Sequence, residues 1–578
     1  MKLIFLLLSL LVNPYGREAL SLNGNWSAIL DPSDVGEGKR LYTDARPAGR
    51  DDFVEYSYDG ALSLDVPGDW NHQDPQLRWY EGTVWYARHF QAERRAGHRR
   101  ILYFAGVSQR CDVYLNGDRV AVHEGSFTPF QADVTDRLAD GDNFLAVRVD
   151  NRRRPDAIPA LRFDWWNYGG ITRDVLLLDV PERHIADYFF RLAPGVPDRI
   201  LAEITLSVAE AGQPVTVSIP GLKVRQTLMT DADGVARGSF RLKGLRRWQP
   251  LRPFLYAVTV SSGTDTVTER IGFRDIAVDG TKILVNGEPT FLKCISFHEE
   301  IPMEQRRACS PEDAEVLVGA AVGLGCNAIR LAHYPQNEYI VRLAEEKGLL
   351  VWEEIPLWQG IDFTSEETWH KAETYLREMI GRDRNRCAIG FWSISNETRP
   401  GPERDAFLTR LLALGRSLDG SRLFTSAFDV AYYRPEADEF RMEDGFAGQL
   451  DVIGINKYMG WYAPWPKPAA ELRWNVFPDK PLVISEFGCE ARAGVYGDAD
   501  TASSWSEDYQ AALYRDNLVM FGNIPNLAGV SPWVLYDFLS PFRQHPVNQG
   551  FFNRKGVLSD RGERKKAWYV MNEYYNER

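Results

Sequence analysis

The chain has 578 residues, enough for several domains. Its 44% hydrophobic and 25% charged residues are the proportions of a folded soluble protein, which sets aside disordered and fibrous classes. A net charge of −13 argues against nucleic acid or an anionic membrane as the main partner and still allows a local basic pocket.

The N-terminus reads MKLIFLLLSLLVNPYGREALSL. Lys2 is a short positive region and Leu3–Val12 an apolar run too short to span a bilayer. A secretory signal peptide over residues 1–19 is expected, cleaved near Gly16–Ala19, with a buried N-terminal strand as the rival. No Cys follows for a lipid anchor, so a soluble periplasmic or secreted protein is implied. The six Cys are too sparse for a disulfide scaffold. Cys111, Cys294, Cys326 and Cys387 sit in or beside apolar runs like small core residues, and no C-x-x-C suggests a metal.

Residues 20–182 read as short strands between turns. Asn116-Gly117 in CDVYLNGDRVAVHEG is a strong hairpin signal, and NFLAVRVD alternates apolar and polar residues. A jelly-roll-sized antiparallel sandwich fits. Residues 183–275 again alternate with period two, as in PVTVSIP, and suit an immunoglobulin-like β-sandwich. The 17 Trp can serve such cores or form the aromatic platforms of carbohydrate sites.

From 276 to 578 the pattern changes. KILVNGEPTFLKC is a hairpin turning at Asn286-Gly287; apolar strands then alternate with helices. In SPEDAEVLVGAAVGLG, Ser310 is an N-cap, Pro311 opens the helix and Asp313 lies in its first turn; NEYIVRLAEEKG closes at Gly348. Eight strands are predicted: FLKCISF, NAIRLA, LLVWEEI, AIGFWSIS, LFTSAF, LDVIGIN, PLVISEF and LAGVSPWVLY. That is a (β/α)8 TIM barrel; the rival doubly wound sheet would want a G-x-G-x-x-G after a strand, and none occurs.

Barrel chemistry sits at the C-terminal strand ends. These ends carry His298 and Glu299, Arg330 and His333, Asn396-Glu397, Tyr458, Glu486 and Trp533. One strand-end carboxylate could be a structural ion pair. Two Glu, ending the fourth and seventh strands, face each other across the mouth. Carboxyl groups roughly 5–5.5 Å apart are the machinery of a retaining glycosidase, one protonated and one ionised.

The order jelly roll, sandwich, barrel, with NETRP and VISEFG, resembles glycoside hydrolase family 2 over essentially the whole chain after the signal. Its members include retaining, exo-acting β-galactosidases, β-glucuronidases and β-mannosidases. The resemblance implies that Glu397 is the general acid/base and Glu486 the nucleophile. It implies that Asn396 binds the sugar 2-hydroxyl, that Tyr458 donates to Glu486, and that Arg330, in RLAHYP, steadies the nucleophile. RDRNRCAIGFWSISNE resembles the family's run into the acid/base. His298, His333 and Trp533 match pocket positions, and Asp164, in RFDWWNYGGITRDV, is the expected contact to outer hydroxyls.

Asn553 and Lys555, in the N-x-K-G of QGFFNRKGVL, resemble the β-glucuronidase pair that binds a uronate carboxylate; the alternative is a charged surface segment. Tyr458 and Tyr462, in NKYMGWY, match the same enzymes, with Tyr462 near the carboxylate. There are two departures. Gln549 stands where enteric-type glucuronidases often have Arg, and the loop those enzymes insert after the third strand is missing, which leaves the pocket mouth more open. A β-glucuronidase is therefore expected, acting on a glucuronide or a glycan non-reducing end. The alternatives are β-galactosidase, β-galacturonidase, a non-catalytic carbohydrate-binding protein, which would not need both Glu, and a metal-dependent hydrolase, for which His298 and His333 are too few ligands. No cofactor or metal is expected, and a homo-oligomer is possible because family members often form dimers or tetramers.

Overall fold

The computed structural model describes residues 16–46, 49–51 and 56–578. The apolar run of the expected signal peptide lies outside the described residues. No described helix is long and apolar enough to cross a membrane.

The chain divides into two compact units. One comprises residues up to Arg152, Gly169–Leu245 and Leu255–Ile271. It contains a six-stranded antiparallel sheet and a four-stranded one that share a core of Trp26, Trp70, Tyr86, Leu102, Val147 and Leu177. The six-stranded sheet carries the expected hairpin, Arg110–Leu115 against Asp118–Glu124. Its turn needs positive φ, which Asn116 (+53°) and Gly117 (+91°) supply. A three-stranded and a four-stranded sheet follow within Ile185–Ile271, seven strands of the alternating kind that a sandwich requires.

The other unit comprises Arg153–Tyr168, Arg246–Phe254 and Gly272–Arg578. Eight parallel strands close into a barrel: β1 (Leu292–Phe297), β2 (Ala328–Leu331), β3 (Leu350–Glu354), β4 (Ile389–Asn396), β5 (Leu423–Phe428), β6 (Val452–Asn456), β7 (Leu482–Glu486) and β8 (Leu527–Val530). All eight predicted strands are present. Nearly every position in them is buried, because helices cover the outer face and side chains fill the inner one; hence the continuous apolar runs. Helix α1 (Pro311–Leu324) begins with a reciprocal capping box between Ser310 and Asp313 and ends at Gly325 with φ +93°. Helix α2 (Glu338–Lys347) ends at Gly348, as its sequence predicts.

The first of the shorter segments in this unit is functionally placed. Trp165 packs its ring 5.6 Å from those of His333 and Tyr334 and 5.8 Å from those of His298 and Trp358, above the barrel mouth. Near the C-terminus, a hairpin of Phe538–Leu539 and Phe552–Asn553 brings the N-x-K-G stretch to the same end.

Candidate active site

Strand β4 delivers Glu397 one residue past its end, with φ +52°, a backbone region disfavoured for a non-glycine residue. The turn is held by hydrogen bonds from the Glu397 amide to the Ala427 carbonyl (2.9 Å) and from the Asn396 amide to the Leu357 carbonyl (2.9 Å). The carboxyl accepts from Asn456 Nδ2 at 2.8 Å and from Gln359 Nε2 at 2.9 Å. Burial, then the charge of Glu486, push its pKa up to about 7, against the pull of those two donors.

Glu486 ends β7 and is buried. One oxygen accepts from Arg330 Nη1 at 2.7 Å, the other from Tyr458 Oη at 2.6 Å. Burial and the neighbouring Glu486 keep the Tyr458 phenol protonated, so it remains a donor. Arg330 is fully buried. It also donates to both oxygens of Glu354, at 2.9 and 3.2 Å, and to Asn396 Oδ1 at 2.8 Å. Although burial opposes it, the charge of Arg330 holds the Glu354 carboxyl down to about 2, and Glu354 accepts from His333 Nδ1 at 2.8 Å. A single guanidinium thus ties the ends of β3, β4 and β7 together.

Both Glu397 and Glu486 line one cavity of about 650 Å3. Of the other sequence-predicted residues, Asp164, His333, Tyr458, Tyr462, Trp533 and Lys555 line it too. Arg330, Asn396, His298 and Asn553 are buried and are not among its lining residues. Trp533 stacks on His333 with ring centroids 4.7 Å apart, and His298 meets the edge of Trp533 at 5.4 Å. Burial lowers the His298 pKa well below the usual imidazole value, so the ring is neutral, and its Nδ1 lies 3.2 Å from Tyr334 Oη. The buried Asn396 Nδ2 has no hydrogen-bond partner among the described residues.

At the far wall, the N-x-K-G stretch is not a surface segment: Asn553 and Lys555 are 0% and 1% exposed. Lys555 Nζ donates to Tyr462 Oη at 2.8 Å and lies 3.6 Å from Glu490. Arg543, which the sequence reading missed, lines the same wall. It donates to Tyr462 Oη at 3.2 Å, to Glu490 at 3.3 Å and to both oxygens of Asp164. Asp164 also accepts from Asn553 Nδ2 at 3.1 Å and from Ser540. The departure at Gln549 has a structural counterpart. Gln549 turns to Glu490, donating at 2.9 and 3.0 Å, while Arg543 places a guanidinium in the cavity wall.

Also missed were Glu354, Asn456, Gln359 and Glu490. Glu354 and Asn456 could have been found, since Glu354 is the last residue but one of the third predicted strand and Asn456 ends the sixth. Gln359 and Glu490 lie in loops whose course no periodicity reveals.

Comparison with known proteins agrees with this construction. The family model "Glycosyl hydrolases family 2, TIM barrel domain" matches residues 276–576, and the family's sugar-binding-domain model matches residues 20–181. A β-glucuronidase of Paenibacillus borealis is 26% identical, over 96% of this chain and 98% of its own length. A β-galactosidase of Thermoanaerobacter pseudethanolicus is 28% identical, over 90% of this chain and 67% of its own. The solved structure of a β-galacturonidase from Eisenbergiella tayi superposes with a TM-score of 0.80 at 25% identity, covering 97% of each chain. Further relatives named β-glucuronidase come from bacteria and mammals. The chain belongs to glycosyl hydrolases family 2.

Proposed function

We propose that this hydrolase is a retaining β-glycosidase that removes terminal β-D-glucuronosyl residues. One observation carries the reading: Lys555, Arg543 and the hydroxyl of Tyr462 converge on the wall of the cavity that also holds Glu397 and Glu486. A uronate brings a carboxylate to which the Lys555 ammonium and the Arg543 guanidinium can donate beside their contacts to Glu490 and Asp164; a neutral hexose brings no such charge.

The reaction follows from the two carboxyl groups. Glu397, protonated below about pH 7, gives its proton to the glycosidic oxygen as the bond to the anomeric carbon breaks. Glu486, fixed by Arg330 and Tyr458, attacks that carbon and forms a glycosyl ester. Glu397, now ionised, takes a proton from water, whose oxygen attacks the anomeric carbon and releases Glu486. Asn396, next to Glu397, is assigned to the 2-hydroxyl through its Nδ2, which has no hydrogen-bond partner among the described residues. The N-terminal sequence supports export, to a periplasm or out of the cell.

A β-galacturonidase is the second reading. Its substrate carries the same carboxylate, and one similar solved structure bears that name. The test is the relative kcat/KM for aryl β-D-glucuronide, β-D-galacturonide and β-D-galactoside, in the wild type and in Lys555→Ala. The glucuronide should be preferred, and Lys555→Ala should lower its kcat/KM by about 10- to 100-fold. A preferred galactoside, or an unaffected Lys555→Ala, would overturn the assignment.

A further inference from the structure

A second cavity, about 730 Å3, adjoins the first: Gln359, Glu397 and Asp429 line both. Glu486 lines only the first. In a double displacement the nucleophile marks the glycosyl position and the acid marks the leaving group. The second cavity therefore lies where the leaving group goes.

Its walls carry two cations, Arg162 and Arg399, both exposed. Neither guanidinium has a hydrogen bond or ion pair among the described residues. Elsewhere around the barrel mouth guanidinium groups are committed, Arg330 to Glu354 and Glu486, and Arg543 to Asp164. Of the carboxylates in the second cavity, Asp362 already has partners. Asp362 accepts from the amide and hydroxyl of Thr364, at 3.0 and 2.7 Å. Asp429 stands at the junction of the two cavities, within the field of Glu486 and Lys457 as well as Arg399. Leu161, half exposed, and Phe363 add apolar surface. Two uncommitted guanidinium groups beside apolar side chains suit a sugar ring bearing an oxyanion, since charge-assisted forks to sulfate or carboxylate are the strongest contacts they can make.

We propose that this cavity is a leaving-group subsite for a sulfated or carboxylated sugar, so that the substrate is an acidic oligosaccharide rather than a small conjugate. The proposal rests on the glycosidase reading above.

The test uses disaccharides with a terminal β-glucuronosyl residue linked to a neutral, a sulfated or a uronic second sugar. Wild type and Arg162→Ala/Arg399→Ala are compared, with aryl β-glucuronide as the reference. The wild type should prefer a charged second sugar by about tenfold, and the double variant should lose that preference while cleaving the aryl substrate normally. Preference for sulfate alone or for uronate alone supports the subsite and names its ligand. Equal rates on neutral and charged disaccharides, or a preference that survives in the double variant, would overturn it. Arg162→Gln/Arg399→Gln, which keeps side-chain bulk, should behave like the alanine pair. If aryl β-galactoside is cleaved instead of the glucuronide, the glucuronidase reading fails; the same comparison with β-galactosyl disaccharides then decides the subsite separately.

Discussion

In the proposed mechanism Glu397 serves as the acid because of its surroundings. Burial and the charge of Glu486 put its pKa near 7, so the protonated form persists to neutral pH. kcat/KM should fall as pH rises through about 7. Glu397→Gln, assayed on an aryl glycoside whose leaving group needs no acid, should lose that limb; a limb that remains would mean another group supplies the proton. Tyr458→Phe removes a 2.6 Å donor to Glu486 and should lower kcat by about 10- to 100-fold with little change in melting temperature. The two Glu were legible because each closes an apolar strand in a family motif. Arg543 was not: it sits in the irregular loop between the two strands of the C-terminal hairpin, where spacing says nothing about which side chain reaches the cavity. Gln549 was legible as a departure, but its turn toward Glu490 was not.

Strands β1 to β8 were legible as elements because a parallel strand buried on both faces leaves a run of apolar residues bounded by turns. Helix ends were legible where caps are written in the sequence. Ser310→Ala should remove the side-chain half of the α1 capping box and cost about 1 kcal/mol, read from the shift in denaturant midpoint. Gly454 in β6 is a sharper test of packing. A Cβ there would lie 2.7 Å from the Ser426 carbonyl oxygen and 2.8 Å from the Trp352 ring. Gly454→Ala should therefore destabilise by about 1–3 kcal/mol and disturb the neighbouring Asn456. The segment Arg153–Tyr168 was not legible as part of the barrel unit. It has no periodicity, and its Trp165 finds its partners among residues far along the chain, His298, His333 and Trp358.

Across the whole molecule, the site's carboxyl groups act on stability in opposite senses. Glu354, held at about 2 against 4.5 when unfolded, contributes about 3 kcal/mol above pH 4.5, lost as pH falls toward 2. Glu397, raised from 4.5 to about 7, costs stability increasingly as pH rises between those values. Glu397→Gln should thus melt higher than the wild type at pH 8 and alongside it at pH 4; a constant gap would contradict this account. The measurement that bears most directly on the whole is labelling with 2-deoxy-2-fluoro-β-D-glucuronyl fluoride, followed by peptide mass mapping. A fluoroglucuronyl ester should form on Glu486, be absent in Glu486→Gln, and form more slowly with the galactosyl counterpart. An ester on another residue, or faster labelling by the galactosyl reagent, would contradict the proposed function.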